Sequence, residues 1–316
     1  MPWNRKVEDF CMTRGMSAGG LVAQMEAAGG FGGKHLAEGV NIMAEMFSDD
    51  GCVNFLSFPA CIIATGARGI VRDMVKERLV DVVITTCGTL DHDLARIWKK
   101  YYHGSFELDD AGLRRRGINR LGNVLVPNDS YGTVLERRLQ PMFRKIYDSG
   151  MRRPSTRDLI WAVGDMLEDE DSILYWAARR RIPVFVPGIM DGAFGCQMWM
   201  FWQEHRDFGP DLMADEQELS GIVMKAKRAG ALIIGGGISK HHTIWWNQFR
   251  GGLDYAVYLT TAMEHDGSLS GARVREAISW GKVKPRARHV TIDADATVAL
   301  PLMHAAVLDR LRVPRD

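Results

Sequence analysis

Six short apolar runs limit what this chain can fold into: GCVNFLSF (51–58), VDVVITTCGT (80–89), RIPVFVPG (181–188), GALIIGGG (230–237), LDYAVYLTTA (253–262) and HVTIDADA (289–296). Each is too short for a helix and rich in Val and Ile, and most are unbroken by polar residues, which is the pattern of strands buried on both faces of a parallel sheet. Between them lie helix-like stretches at 66–78, 91–101, 156–178, 213–229, 240–250 and 297–311. Strands alternating with helices predict an α/β fold with a doubly wound, largely parallel sheet. The segment 103–155, with RRRGINRLGNVLVPNDSYG, reads as an irregular insertion between two strand–helix units. No internal repeat or Pro/Gly/Ser linker divides the 316 residues, so 1–316 is read as one domain.

Charge and cysteine usage exclude several classes. With 40 Lys+Arg against 39 Asp+Glu the formal net charge is +1, so no global field points to nucleic acid or an acidic membrane. Cys11, Cys52, Cys61, Cys87 and Cys196 are odd in number and scattered without CxxC spacing, which argues against a disulfide framework or a zinc site and fits a reducing cytoplasm. The start MPWNRKVEDF has no apolar stretch after its charges, and no run reaches the roughly 18 residues of a membrane span. Neither export nor membrane insertion is expected.

In open parallel sheets, ligands bind beyond the carboxyl ends of the strands. That rule selects Thr85, Thr86, Cys87 and Gly88; Asp191 and Gly192; Gly235, Gly236 and Gly237; Thr260, Thr261 and Ala262; and Asp293, Asp295 and Ala296. Glycines there allow close backbone approach to a phosphate, and a following helix N-terminus supplies N–H donors. A nucleotide suits such a rim, but GGGISK departs from GxGxxG at Lys240 and lacks the GK[ST] of a P-loop, so a tight turn serves equally well.

SLSGARVREAISWGKVKP (268–285) places Trp280, Gly281 and Lys282 where a helical stretch gives out, with Glu276 four residues before the tryptophan. A helix end capped by glycine and flanked by a cation is one reading; a nucleophilic amine is the other. His241 and His242 open a helix after the glycine run, and adjacent helical residues point about 100° apart, so the pair cannot hold one metal as an i, i+4 pair does. No metal is expected. Either histidine could shuttle protons or wall a site, or simply be polar surface. Trp245, Trp246 and MWMFW (198–202) read as core or subunit-contact residues rather than a stacking platform.

GGGISKHH (235–242), DYAVYLTTAMEHDGSLSGARVREAISWGK (254–282) and DADATVALPL (293–302) resemble core motifs of the deoxyhypusine synthase family. VDVVITTCGTLDHDL (80–94), GINRLGNVLVPND (117–129) and IPVFVPGIMDGAFG (182–195) fit in the same order, so the resemblance covers roughly residues 40–310. It implies a Rossmann-like, NAD-binding homotetramer that moves an aminobutyl group from spermidine, through an imine on a lysine, to a lysine of the translation factor 5A precursor, the first step toward hypusine. Such chemistry needs a neutral amine, which an apolar pocket favours.

By the same resemblance Lys282 matches the covalent nucleophile and His241 a proton shuttle, while Trp280, Glu276 and Gly267 match the polyamine pocket. Thr86, Gly88, Asp191, Gly235, Gly236, Thr261, Ala262, Asp266, Ser270, Asp295 and Ala296 match NAD contacts. Leu269 and Cys196 stand where eukaryotic members carry polyamine-binding aspartates, and Ala60, Cys61 and His92 replace polar or acidic residues near the cofactor. A related aminoalkyl transferase with a free-amine acceptor, as in homospermidine formation, or with a different amine donor is the alternative. A silent NAD-binding homologue is a third.

Overall fold

A computed structural model describes residues 5–311 and divides them into two compact units, one of residues 5–57 with 222–311, the other of 58–221. The first contains, in chain order, helices α1 (Ala18–Ala28) and α2 (Phe31–Ser48), strands β1 (Cys52–Ser57) and β2 (Arg228–Ile234), helix α3 (Gly237–Gln248), strand β3 (Leu253–Thr260), helix α4 (Val274–Ser279), strand β4 (Val283–Asp293) and helix α5 (Ala296–Leu308). The strands pair in parallel in the order β1-β2-β3-β4, with Leu56 opposite Leu232, Leu232 opposite Val257 and Val257 opposite Val290. The central strands β2 and β3 are buried nearly throughout, which is why their sequences are continuous apolar runs rather than alternating ones.

Helices cover both faces of this sheet. Gly39 of α2 lies against Ile292 and Val257, so close that a Cβ would stand 3.4 Å from the valine methyl. Lys240 of α3 lies over the ring of Tyr258. Val257 and Tyr258 are neighbours in β3 and point to opposite faces, so α2 and α3 do too. The helices α1 and α2 have no counterpart among the expected stretches. Seven glycines between 19 and 39 mask a buried stripe at Leu36, Ala37, Val40, Met43, Met46 and Phe47 that has helical spacing.

The second unit holds a short parallel pair, Val82–Ile84 with Val184–Phe185, each followed by a helix, Cys87–Trp98 and Ala193–Glu204. Two expectations fail here. The stretch 103–155 is not irregular: a three-stranded antiparallel sheet, with Val124–Pro127 between Tyr102–His103 and Ile118–Leu121, precedes a 17-residue helix, Gly132–Asp148, that buries Val134, Leu135, Leu139, Phe143 and Ile146. The stretch 156–178 is two helices, Thr156–Asp165 and Ile173–Arg180, because Ser172 caps the second and buried Asp93 accepts from the Ile173 and Leu174 N–H groups, each at 3.0 Å. Expected helix 213–229 is observed as Leu212–Lys225.

Candidate active site

The helix-end reading of Trp280–Lys282 is half right. α4 stops at Trp280, Gly281 takes φ +68°, and the Gly281 and Lys282 N–H groups return to Ile278 and Ala277 carbonyls at 3.0 Å each. Glycine therefore does cap the helix. Lys282 does not extend into solvent, however. Its carbonyl accepts from the Leu253 N–H at 3.1 Å, its chain leads straight into β4, and it is only 8% exposed.

The Lys282 ammonium faces a cavity of about 300 Å³ whose walls come from α3, β3, the 269–273 turn and α4. It lies 5.2 Å from the Trp280 ring centroid and 5.8 Å from that of Trp245, and among the described residues it has no hydrogen-bond or ion-pair partner. Aromatic faces suit a cation or an alkyl chain equally. His241 stacks on Trp245 with centroids 5.6 Å apart and lines the same cavity. Burial, and then the charge of Lys282, hold its pKa below the usual imidazole range. Its neighbour His242 is pushed down to about 4, chiefly by burial.

Glu276 also lines the cavity and is the carboxylate among its lining residues; Leu269, Ala272 and Ala277 make the remaining wall largely apolar. Ile244, Arg273, Lys240 and Tyr258 complete it, and the buried Tyr258 hydroxyl has no partner among the described residues. Trp280, Glu276, His241 and Lys282 are thus brought together as expected, whereas Gly267 sits exposed in the preceding turn at φ +74° and is not part of the wall. Trp245 is not a core residue: it is 42% exposed and lines the cavity. Its position four residues after His241 on one helix was a usable signal, because i and i+4 share a face. Lys240 and Tyr258 were missed altogether as site residues.

The strand-end positions of this unit share one edge. The Gly235 N–H bonds the Leu259 carbonyl at 2.7 Å and the Ala294 N–H the Thr260 carbonyl at 3.2 Å, so Gly235–Gly236, Thr261–Ala262 and Asp295–Ala296 follow three neighbouring strands. Gly236 is the cap of α3 and lends no side-chain hydrogen bond, which leaves first-turn N–H groups directed outward, while nothing lies within 4 Å of a Cβ at Gly237. Gly236 itself has no room for a side chain because Ser270 packs on it. Asp266 accepts from the Ser268 N–H at 2.7 Å; the Ser268 side chain and then that N–H lower its pKa, and Asp295 caps α5 through the Thr297 N–H at 2.9 Å. A phosphate-bearing ligand fits the glycine edge; the two carboxylates already serve local turns.

In the second unit Thr86 precedes the helix Cys87–Trp98 and its hydroxyl accepts from the Ala60 N–H at 3.1 Å. Gly88 faces Ala60, whose methyl stands 2.8 Å from where a Cβ would be. Asp191 is exposed before the helix Ala193–Glu204, and Cys61 and Cys196 are exposed as well. His92 bonds the Tyr101 hydroxyl at 2.9 Å, and burial lowers its pKa to about 4. Burial, with Asp91 nearby, pushes the Cys87 thiol up to about 12, which makes it unreactive. Among the described residues no group of three or more His, Cys, Asp or Glu is placed to hold a metal, and no helix is long and apolar enough to cross a membrane.

A buried lysine lies between indole faces on an α/β frame with a glycine-lined strand edge, and the relatives that the chain matches make it an enzyme of the transferase class. A family model for deoxyhypusine synthase matches residues 20–307, and the chain belongs to the deoxyhypusine synthase family. Proteins named probable deoxyhypusine synthase are 53% identical over 305 residues in Thermoplasma acidophilum (96% of this chain, 98% of that one) and 48% identical over 311 residues in Ignicoccus hospitalis (97% and 96%). The fold is shared with the crystal structure of an Entamoeba histolytica protein described as a candidate deoxyhypusine synthase, at a TM-score of 0.68, 18% identity, and coverage of 96% of this chain and 97% of that one.

Proposed function

We propose that this transferase carries out NAD-dependent transfer of an aminobutyl group from spermidine to a lysine of the translation factor 5A precursor, in the cytoplasm and as a homotetramer. The observation that carries the reading is Lys282: an amine 8% exposed, without a polar partner among the described residues, opening onto a cavity with aromatic walls. Bound NAD supplies reversible hydride acceptance. The Gly235–Gly236 edge and the first-turn N–H groups of α3 suit its pyrophosphate, with Thr261, Ala262, Asp266, Ser270, Asp295 and Ala296 around them; Thr86, Gly88 and Asp191 belong to the same family assignment.

Lys282 Nζ attacks the oxidised carbon of the donor, the C–N bond to diaminopropane breaks, and the aminobutyl group stays on the lysine as an imine. The acceptor lysine then displaces Lys282 from that carbon, and the hydride removed from the donor would return to the imine left on the acceptor, giving the secondary amine. His241, kept neutral, takes and returns the proton that moves with the amine. Trp280 and Trp245 hold the alkyl chain and exclude water, and Glu276 pairs with the far ammonium. Exposed Ile238 and Trp245 on α3, with Phe249 just after it, offer apolar surface for a subunit contact, and a monomer in light scattering at micromolar concentration would remove the tetramer.

Leu269 on the cavity wall favours a second reading, in which a less highly charged donor or a free-amine acceptor is used. Incubation with NAD, spermidine and the precursor, followed by intact mass measurement of the precursor, separates the two. Gain of one aminobutyl group supports protein modification; a new free polyamine with an unchanged precursor supports the alternative.

A further inference from the structure

Lys240 precedes His241 on α3 and is 1% exposed, yet it carries an ammonium. That ammonium donates to the Leu269 and Ala272 carbonyls, both at 2.7 Å, and lies 4.3 Å over the Tyr258 ring. An ammonium has three N–H bonds. Two end on carbonyls and the remaining positive face meets the ring, so Lys240 keeps no donor for a ligand although it lines the cavity. Burial lowers its pKa to about 8, with Glu276 opposing that shift and Arg273 adding to it. The group is a fastener, in contrast to Lys282.

What it fastens is the turn that shapes the pocket. The Gly271 and Ala272 N–H groups bond the Ser268 carbonyl at 3.2 Å each, forming a tight turn without regular secondary structure. That turn presents Leu269 to the cavity and lays Ser270 on Gly236 of the strand edge. We propose that Lys240 is a positioning residue: it clamps the Leu269–Ala272 turn to α3 and thereby sets together the width of the amine cavity and the seating of Gly236. The clamp stands on geometry alone; its consequence for catalysis rests on the function proposed above.

Lys240→Met keeps the aliphatic stem and removes the donors, leaving two carbonyls without their partner. Hydrogen exchange in the peptide spanning 263–273 should quicken at least about tenfold in this variant with no substrate present. The donor KM and the NAD Kd should each rise about tenfold while kcat at saturation stays within about threefold, because Lys282 itself is held by β4. Lys240→Arg, which restores donors and charge, should recover most of both effects. A merely structural lysine would lower the melting temperature without that KM-against-kcat split. Should the methionine variant not fold, Lys240→Gln, with one short amide donor, should fall between wild type and the expected loss. Unchanged exchange and unchanged KM in a folded Met or Gln variant would overturn the clamp. Faster exchange in the variant beside a wild type inactive on every polyamine would overturn the proposed function and leave the clamp standing.

Discussion

Asp93 and Lys282 are both buried charges, and they are treated in opposite ways. Asp93 is saturated: Arg68 Nε at 2.7 Å, the Ser172 hydroxyl at 2.7 Å, and the Ile173 and Leu174 N–H groups at 3.0 Å all converge on one carboxylate. Asp91, two residues earlier, likewise takes the Tyr131 hydroxyl and the Ala193 and Phe194 N–H groups, and its pKa still rises because burial outweighs them. Lys282 has two indole rings near its ammonium and no hydrogen-bond or ion-pair partner among the described residues. A fully partnered charge holds elements in place, whereas a buried charge left without partners costs stability that is tolerated where chemistry needs a free group.

The largest test of this contrast is Lys282→Arg. A guanidinium stays protonated and cannot form the imine, so transfer should fall by about ten thousandfold, roughly 5 kcal/mol in barrier, with the melting temperature nearly unchanged. Steady-state transfer assays and calorimetry on one preparation check both halves. Asp93→Ala should do the reverse. It strands Arg68 and removes the cap of Ile173–Arg180, so denaturant unfolding should show a loss of about 3–5 kcal/mol. A stable Asp93→Ala protein would erase the distinction.

Smaller effects sharpen it. Leu269→Asp adds a carboxylate to a wall whose carboxylate is otherwise Glu276, and should tighten spermidine by about 1–3 kcal/mol, read as a lower KM. No change would show that wall charge does not set donor choice. The least conspicuous effect is the pH profile. A base with a depressed pKa is available above that pKa and is lost as pH falls through it, so kcat/KM should stay level on acidification past about 6.5 and decline only below. His241→Gln should remove that acid limb; an acid limb centred above 6.5 would contradict the role.

The six apolar runs were legible because strands buried on both faces must be continuously apolar, and each of them overlaps a strand, although those of runs 230–237 and 289–296 begin earlier, at Arg228 and Val283. Helix Gly132–Asp148 was not, since Arg137, Arg138 and Pro141 interrupt its apolar stripe. Nor was the break between Asp165 and Ile173, whose residues 166–172 contain no glycine or proline and which Asp93, some eighty positions away, helps to fix. The same holds within the pocket. Lys282, Trp280, Glu276 and His241 were reached through motifs, but Lys240 depends on carbonyls 29 and 32 residues distant, and a backbone acceptor leaves no trace in residue type.

The central claim is that the partnerless amine is the reacting one. Wild type treated with NAD, spermidine and borohydride, digested and mapped by mass spectrometry, should carry one aminobutyl group on Lys282 and none on Lys240, and Lys282→Arg should carry none at all. An adduct on Lys240, or full transfer activity in Lys282→Arg, would contradict the account.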